Sequence, residues 1–401
     1  MRILLPYNQR IVTNSFYSDF HDGLTEAARE LGHAAMRFDH ADGVTVSAAE
    51  REALYRLLTE REFDLVIDLC GWSHTLSQLR AWDGTNEGEP LFDSFDMDYV
   101  AMLCDQPWFQ PLTEIRSSRA HAAVPDRFHG EQIALIHPQL AFRSILLAPP
   151  AGRLANDRTD RTNRHEKAER PIDVLFVGNL YAESLERSWA QAPDARRYDD
   201  MLDWVCAHPD RPLHHALRAM TDVPGAGIDA AQAADLLRRV EFCLRARTRV
   251  DAVRAAAASG ASMTVVGDGW AHIPLPANVT LHRFTDYAGF LGLAAQARIS
   301  VDASTYRHGA NDRVFNYAIN GSVCFTNAAG YLSNSFDALD DCGGLHFYST
   351  LELPGLGPAI RELLDSPARL REDAQRARAT TLAQHTWRHR LESIISAVAA
   401  R

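Results

Sequence analysis

The residues best suited to chemistry lie in the second half of the chain, at four points where a predicted strand is followed by a loop. Glycines there let the backbone approach a ligand closely. The N–H groups of a helix N-terminus favour an anion, and an arginine such as Arg313 can donate paired hydrogen bonds to a diphosphate. The pattern therefore indicates binding of a phosphorylated ligand. Its candidate residues are Gly178, Asn179, Gly267, Asp268, Gly269, Trp270, Arg283, Phe284, His308, Gly309, Asn311, Asp312, Arg313 and Asn316.

Each junction also has an ordinary structural explanation. A strand that ends in glycine is usually followed only by a turn, and Arg313 fits a surface ion pair with Asp312. Phe284 fits a core position, and Asn316 fits a helix amide that bonds to a neighbouring loop. The ligand-binding interpretation depends on all four junctions lying at the carboxyl ends of strands in one sheet, where open parallel sheets bind ligands.

Short apolar strands alternate with amphipathic helices through both halves of the chain. This alternation predicts parallel sheets that are covered on both faces, and hence an α/β protein with two Rossmann-type domains in series. In the first half, strands are predicted at 2–5, 63–70, 99–103, 133–136 and 145–147, and helices at 23–31 and 48–58. In the second half, strands are predicted at 172–177, 262–266, 279–281, 299–301, 323–325 and 345–347. Helices are predicted at 287–297, 311–320, 357–364, 367–379 and 387–399, with 183–254 largely helical.

A charged segment with almost no large apolar residue, 151–170, separates the two halves. Such a segment buries too little surface to order itself, which predicts an exposed linker. The expected domains are 1–150 and 171–386, and the final helix, 387–400, is a candidate to pack back on the first domain.

Composition excludes several classes of function. The chain has 401 residues, 41 basic and 52 acidic, for a formal net charge of −11, so dedicated nucleic-acid binding is not expected. Its six cysteines are scattered singly, which predicts structural thiols rather than disulfides or zinc ligands. No apolar run reaches the ~20 residues of a membrane span. The start of the chain lacks a signal-peptide pattern, so a cytoplasmic protein is expected.

The stretch 297–331, ARISVDASTYRHGANDRVFNYAINGSVCFTNAAGY, resembles the sugar-nucleotide segment of the CgeB-like (spore maturation protein) glycosyltransferases. The segments 344–348 and 384–390 resemble the end of that family. With the glycine junctions after 177 and 266, the resemblance covers most of 172–401. In the first half it is limited to 14–33 and 104–108, where the second segment reads CDQPW.

The resemblance implies a GT-B fold, in which two Rossmann-like domains face a cleft. The second domain would bind a nucleotide-diphosphate sugar as co-substrate, and the first would bind the acceptor, which is a glycan, a small molecule or a protein. Family members generally need no metal or other cofactor, because a helix N-terminus and basic side chains stabilise the leaving diphosphate. Arg313 stands at the matching place, and Arg245 or Arg247 are further candidates. Asp302, at a strand end, has no close acidic partner in the sequence, which also favours metal independence.

One departure concerns the ribose. The wider GT-B pattern has a glutamate that holds the ribose hydroxyls, and this chain has Asn316 there, with Asp312 as a possible substitute. An amide binds such hydroxyls less strongly than a carboxylate, so the nucleotide preference stays open.

An inverting glycosyltransferase needs a base to deprotonate the acceptor, whereas a retaining one does not. The candidates are Asp19 and His21, beside the first strand-to-helix turn, and Asp105, after the strand that ends near Cys104. Asp19 is equally well explained as a charge near a helix N-terminus, and His21 as a residue lining a loop.

Two other classes of protein compete with this interpretation. A dinucleotide-dependent Rossmann enzyme would carry GxGxxG after its first strand, and the residues after Leu5 do not. A catalytically silent two-lobed protein that binds a nucleotide or sugar would share the whole architecture.

Overall fold

The structure is a computed structural model, described here for residues 1–11, 15–41, 46–80, 88–155, 170–181, 189–192, 194–209, 211–221, 227–327, 330–335, 344–350 and 352–400. The chain forms two compact units. Unit 1 comprises Met1–Pro150 and Trp387–Arg401, and unit 2 comprises Ala151–Thr386.

Unit 1 is built on a six-stranded parallel sheet in the order β2-β1-β3-β4-β5-β6. β3 and β5 are mostly apolar and are buried along their whole length, as expected for strands of a parallel sheet covered on both faces. Strand order reverses between β1 and β3, which makes their carboxyl ends the expected ligand edge. The elements are β1 (Arg2–Asn8), α1 (Ser15–Glu30), β2 (Ala34–His40), α2 (Ala48–Glu60), β3 (Leu65–Leu69), α3 (His74–Ser77), β4 (Asp98–Met102), β5 (Ala120–Val124), α4 (His129–Ile136) and β6 (Ile145–Leu147).

Unit 2 has a second six-stranded parallel sheet, in the order β12-β11-β10-β7-β8-β9. Counted within the unit, this is the Rossmann order 3-2-1-4-5-6, and the reversal lies between β7 and β10. The elements are β7 (Ile172–Val177), α5 (Ala195–Ala207), α6 (Leu213–Thr221), α7 (Ala230–Ala257), β8 (Met263–Val266), β9 (Val279–His282), α8 (Tyr287–Gln296), β10 (Ala297–Asp302), α9 (Asp312–Ile319), β11 (Val323–Thr326), α10 (Gly330–Ser335), β12 (Leu345–Phe347), α11 (Leu356–Leu364) and α12 (Pro367–Gln384).

The last helix, α13 (Trp387–Ala399), packs against α1 of unit 1. The rings of Trp387 and Phe20 pack in a tilted arrangement, with centroids 4.8 Å apart. A Cβ added at Gly23 would lie 2.5 Å from the Trp387 ring, so only glycine allows this approach.

The expected pair of parallel α/β sheets is confirmed, and several elements differ from the sequence prediction. The strand predicted at 133–136 is wrong, because these residues form the end of α4. β2 and β5 were not predicted, and α1 begins eight residues before the predicted start at 23. The exposed linker is wrong for its first residues, since Ala151 is buried and Arg153 bonds to α9, while 156–169 lie outside the described residues.

Candidate functional site

The best-formed polar cluster of unit 2 lies where β10 ends and α9 begins. Asp302, the last residue of β10, is fully buried. Its Oδ1 accepts hydrogen bonds from Arg313 Nε and Asn311 Nδ2, both at 3.1 Å, and its Oδ2 accepts one from Thr326 Oγ1 at 3.1 Å. Asn311 also caps α9, because its side-chain oxygen accepts from the backbone N–H of Arg313. The cluster thus fixes Arg313 in the first turn of a helix at the carboxyl edge of the sheet.

Arg313 is held through one nitrogen only. Its side chain is 19% exposed, and no described residue accepts a hydrogen bond from either Nη atom. Burial lowers the pKa of Arg313, but the neighbouring Asp302 carboxylate outweighs burial and raises it, so the guanidinium stays charged. A charged fork beside the free N–H groups of a helix N-terminus can bind an anion such as a diphosphate.

Asp312 and Asn316 lie one turn apart on α9 and bond to each other, from Asn316 Nδ2 to Asp312 Oδ2 at 3.0 Å. Burial raises the pKa of Asp312, which Arg313 opposes and Asp302 reinforces.

Asn316 is fully buried and its amide already has partners. Nδ2 donates to Tyr287 Oη at 2.8 Å, and Oδ1 accepts from the backbone N–H of Arg153 at 2.8 Å. This arrangement matches the alternative of a structural amide and argues against direct contact between Asn316 and a ribose.

The glycine junctions after β7 and β8 pack against each other. A Cβ at Gly267 would lie 2.4 Å from the carbonyl oxygen of Gly178, and one at Gly269 would lie 1.5 Å from that of Leu180. Both residues also have positive φ, 142° and 88°. Trp270 is buried, and its Nε1 donates to Gly178 O at 2.7 Å. Close packing therefore explains these glycines and Trp270 without a ligand.

The remaining donor-site candidates are distributed around the same edge of unit 2. Asn179 Oδ1 accepts from the backbone N–H of Asp268 at 3.0 Å. Arg283 is exposed and Phe284 is 52% exposed, so the core position considered for Phe284 is wrong. His308 is half-buried, and Gly309 next to it is buried.

Glu241 was not singled out from the sequence. It is buried in the middle of α7. Its Oε1 accepts hydrogen bonds from Arg245 Nη2 at 2.7 Å and from Thr305 Oγ1 at 2.8 Å, and Thr305 lies just after β10. The spacing of charged residues along this long helix does not distinguish Glu241 from the others, although Arg245 is a sequence-based candidate for stabilising the diphosphate. Arg249, two turns further on, donates to the carbonyl of Asn179. Glu241 and Arg249 of α7 thus bond to residues that follow β10 and β7, respectively.

In unit 1, His21 lies between Tyr7 and Tyr17, with ring centroids 4.8 and 4.7 Å away, and is 1% exposed. Burial and the nearby Arg37 lower its pKa to about 3. A buried imidazole of such low basicity is poorly suited to take a proton from an acceptor, which argues against His21 as the base. Asp19 and Asp105 are each partly exposed, and their catalytic roles stay predictions.

Asp68 is a second acid that the sequence did not reveal. It is fully buried near the end of β3, where it accepts from Tyr99 Oη and from the backbone N–H of Ser73 at 3.0 Å. Burial raises its pKa to about 7, against the opposing effect of these hydrogen bonds. It lies inside the strand predicted at 63–70, and its apolar neighbours there predict a buried strand position rather than an ionisable site.

Residues 228–396 match the family model described as glycosyl transferase-like. This part of the chain is thus similar to a glycosyltransferase domain. The matched range includes α7, Asp302 and the whole of α9, and so the complete Arg313 cluster.

Similar solved structures show the fold of the whole chain. They include a glycosyltransferase from Rickettsia africae (8% identity, TM-score 0.53, 99% of this chain and 97% of the other) and sucrose-phosphate synthase from Thermosynechococcus elongatus (11%, 0.52, 100% and 99%). A third is an alpha-glucosyltransferase in complex with UDP-glucose and DNA containing an abasic site (9%, 0.57, 100% and 99%). The two parallel sheets of this chain therefore match the GT-B fold of these structures. No characterised protein matches the chain in sequence. In the described part of the chain, no helix is long and apolar enough to cross a bilayer.

Proposed function

We propose that this glycosyltransferase takes a sugar from a nucleoside-diphosphate sugar bound by unit 2 and transfers it to a hydroxyl of an acceptor bound by unit 1. The observation that carries the donor assignment is Arg313. Its guanidinium is fixed through Nε by the buried Asp302, and its Nη atoms have no acceptor among the described residues. The complex of one structural relative with UDP-glucose supports a nucleotide sugar as the donor.

In this proposal the leaving diphosphate is stabilised by Arg313 and the N-terminus of α9, with no metal ion. The carboxylate of Asp302 accepts three hydrogen bonds from protein donors, which leaves it poorly placed to hold a cation. The CgeB-like subfamily remains our proposal from the run at 297–331.

Two measurements test the function. The first is a thermal-shift screen of the full chain against nucleoside diphosphates and their sugars, since a ligand that binds only the folded state raises its stability. The second is release of the nucleoside diphosphate with time. A nucleotide that stabilises the protein and is released from its sugar supports the proposal. Retention of the intact nucleotide sugar without any cleavage, with or without added acceptors, would instead identify a silent binding protein.

A further inference from the structure

A short turn follows β4 in unit 1, and two backbone hydrogen bonds close it. Gln106 and Gln110 flank the 3-10 helix Pro107–Phe109. The N–H of Phe109 bonds to Gln106 O at 3.0 Å, and the N–H of Gln110 bonds to Pro107 O at 3.1 Å.

Three polar side chains of the turn are buried, and each has one polar atom without a hydrogen-bond partner among the described residues. Gln106 is 3% exposed, and Trp108 and Gln110 are each 8% exposed. Within the described residues, nothing hydrogen-bonds to Gln106 Oε1, Trp108 Nε1 or Gln110 Oε1. A buried polar atom left without a partner destabilises the folded state. Folded proteins contain only a few of them per hundred residues, so three in one turn require an explanation.

A fourth such atom lies on the helix that packs against this turn. α4 contacts the 3-10 helix, and Gln132 Oε1 in α4 is also buried without a partner among the described residues. Buried polar atoms without a hydrogen-bond partner among the described residues thus occur both in this turn and in α4.

The chemistry of these atoms restricts the ligand. A glutamine oxygen needs a donor, whereas the indole N–H needs an acceptor. Phosphate offers essentially acceptors and would leave the glutamine oxygens without a partner. An ammonium group offers only donors and would leave Trp108 without one. A hydroxyl is both donor and acceptor, so a ligand with several hydroxyls satisfies all of these atoms.

The position of the turn agrees with this chemistry. It follows the carboxyl end of β4, which lies beside β3 in the parallel sheet, and ligands bind at that edge of such sheets. Asp105 opens the turn, is partly exposed, and accepts a hydrogen bond from the Gln106 backbone N–H at 2.8 Å.

We propose that Gln106, Trp108 and Gln110 bind the hydroxyl groups of the acceptor, and that the acceptor is a sugar or another polyol rather than a phenol. This inference rests on the proposed function, whose acceptor it specifies. It also gives a functional role to the CDQPW segment, which lies outside the donor site.

The test compares wild type with the double variant Gln106→Met, Gln110→Met and with Trp108→Phe. Methionine has nearly the volume of glutamine and removes the polar atoms, so the double variant should fold with unchanged or higher melting temperature. Gln139→Met is the matched control, because it makes the same change at an exposed glutamine of unit 1. The probes are glucose, N-acetylglucosamine and maltose, with 4-nitrophenol as the phenol and UDP as the donor-site ligand.

We expect at least one sugar to raise the melting temperature of wild type and of the control. In the double variant and in Trp108→Phe, the Kd of that sugar should rise roughly ten- to hundredfold, because hydrogen bonds to the sugar are lost. Each tenfold rise in Kd corresponds to ~1.4 kcal/mol of binding free energy. Sugars also stabilise proteins without binding, by exclusion from the surface. An equal shift in all four proteins, no shift at all, or a shift with 4-nitrophenol alone would overturn the inference. The UDP shift is read separately, so failure of the donor site remains distinguishable from failure of the acceptor assignment.

Discussion

Arg313 and Asp302 form an ion pair of 3.1 Å in which the carboxylate is fully buried and the guanidinium is partly exposed. The pair is asymmetric, because Asp302 depends on Arg313 for charge compensation while Arg313 keeps two nitrogens for a ligand. Arg313→Ala should therefore destabilise the fold, because removing one member of a buried pair costs up to about 3–5 kcal/mol.

Arg313→Lys is the sharper variant. Lysine keeps the positive charge beside Asp302 and loses the planar fork, so the protein should stay folded. We expect the affinity for UDP to fall roughly tenfold or more, because a hydrogen bond to a charged group contributes about 1.5–3 kcal/mol. Calorimetry measures the affinity, and urea unfolding measures the stability. Arg298→Lys is the control, since Arg298 pairs with Asp173 at 2.8 Å in the same unit. Equal UDP affinity in both variants would remove Arg313 from the donor site.

Transfer should survive chelation. The oxygens of Asp302 are occupied by Arg313, Asn311 and Thr326, so diphosphate stabilisation at this edge is assigned to the arginine and the helix N-terminus. Nucleoside diphosphate release should be unchanged after dialysis against EDTA. Activity that is lost on dialysis and restored by magnesium or manganese would contradict this prediction.

His21→Phe should reduce the acid sensitivity of the fold. The folded-state pKa of His21 is lowered to about 3 from an ordinary 6.5, so the unfolded chain binds the extra proton between these values. The free energy of unfolding therefore falls as the pH drops from 6.5 towards 3. At pH 5 the loss is about 2 kcal/mol relative to its value well above pH 6.5. Urea unfolding at pH 7 and pH 5 should show a smaller loss in the variant. Donor cleavage should persist in His21→Phe, and its complete loss in a folded variant would restore His21 as a catalytic candidate.

Asp68→Asn should change the pH dependence in the opposite direction. The folded-state pKa of Asp68 is raised from 3.8 to about 7, so here the folded state binds the extra proton. The stabilisation is complete below pH 3.8 and is lost as the pH rises to 7, by about 2–3 kcal/mol between pH 5 and pH 8. Asparagine cannot ionise, so the variant should lack this loss. Asp96→Asn, at a side chain that is 95% exposed, is the control and should behave as wild type.

The sequence predicted those elements whose pattern is local. The run from Ile172 to Val177 is continuous and apolar, and it forms β7 at the predicted residues. β5 is made largely of alanine, which carries little strand preference, and was missed although it is fully buried. The apolar residues before His137 fit either a strand or a helix, and the sequence alone did not separate the two.

The site was predictable in its location but not in its partners. Arg313 was found because it follows a glycine at a predicted helix start. Its pairing with Asp302, eleven residues earlier, depends on how β10 and α9 meet. The bond from Arg153 to Asn316 spans 163 residues, and no spacing rule reveals it. The resemblance therefore predicts a contact between Asn316 and the ligand. In the structure, the backbone N–H of Arg153 is instead the partner of the Asn316 side-chain oxygen.

The contact between Gly23 and Trp387 has a consequence for synthesis. Unit 2 is inserted within the sequence of unit 1, since the chain leaves unit 1 at Pro150 and returns at Trp387. Domains usually fold as they emerge from the ribosome. Here the first 150 residues are synthesised long before α13. The face of α1 that carries Gly23 therefore stays uncovered until Trp387 has been synthesised. Unit 1 is therefore the last to be completed although it is the first to be translated, and a nascent chain stalled before Trp387 would expose an apolar surface to chaperones and proteases.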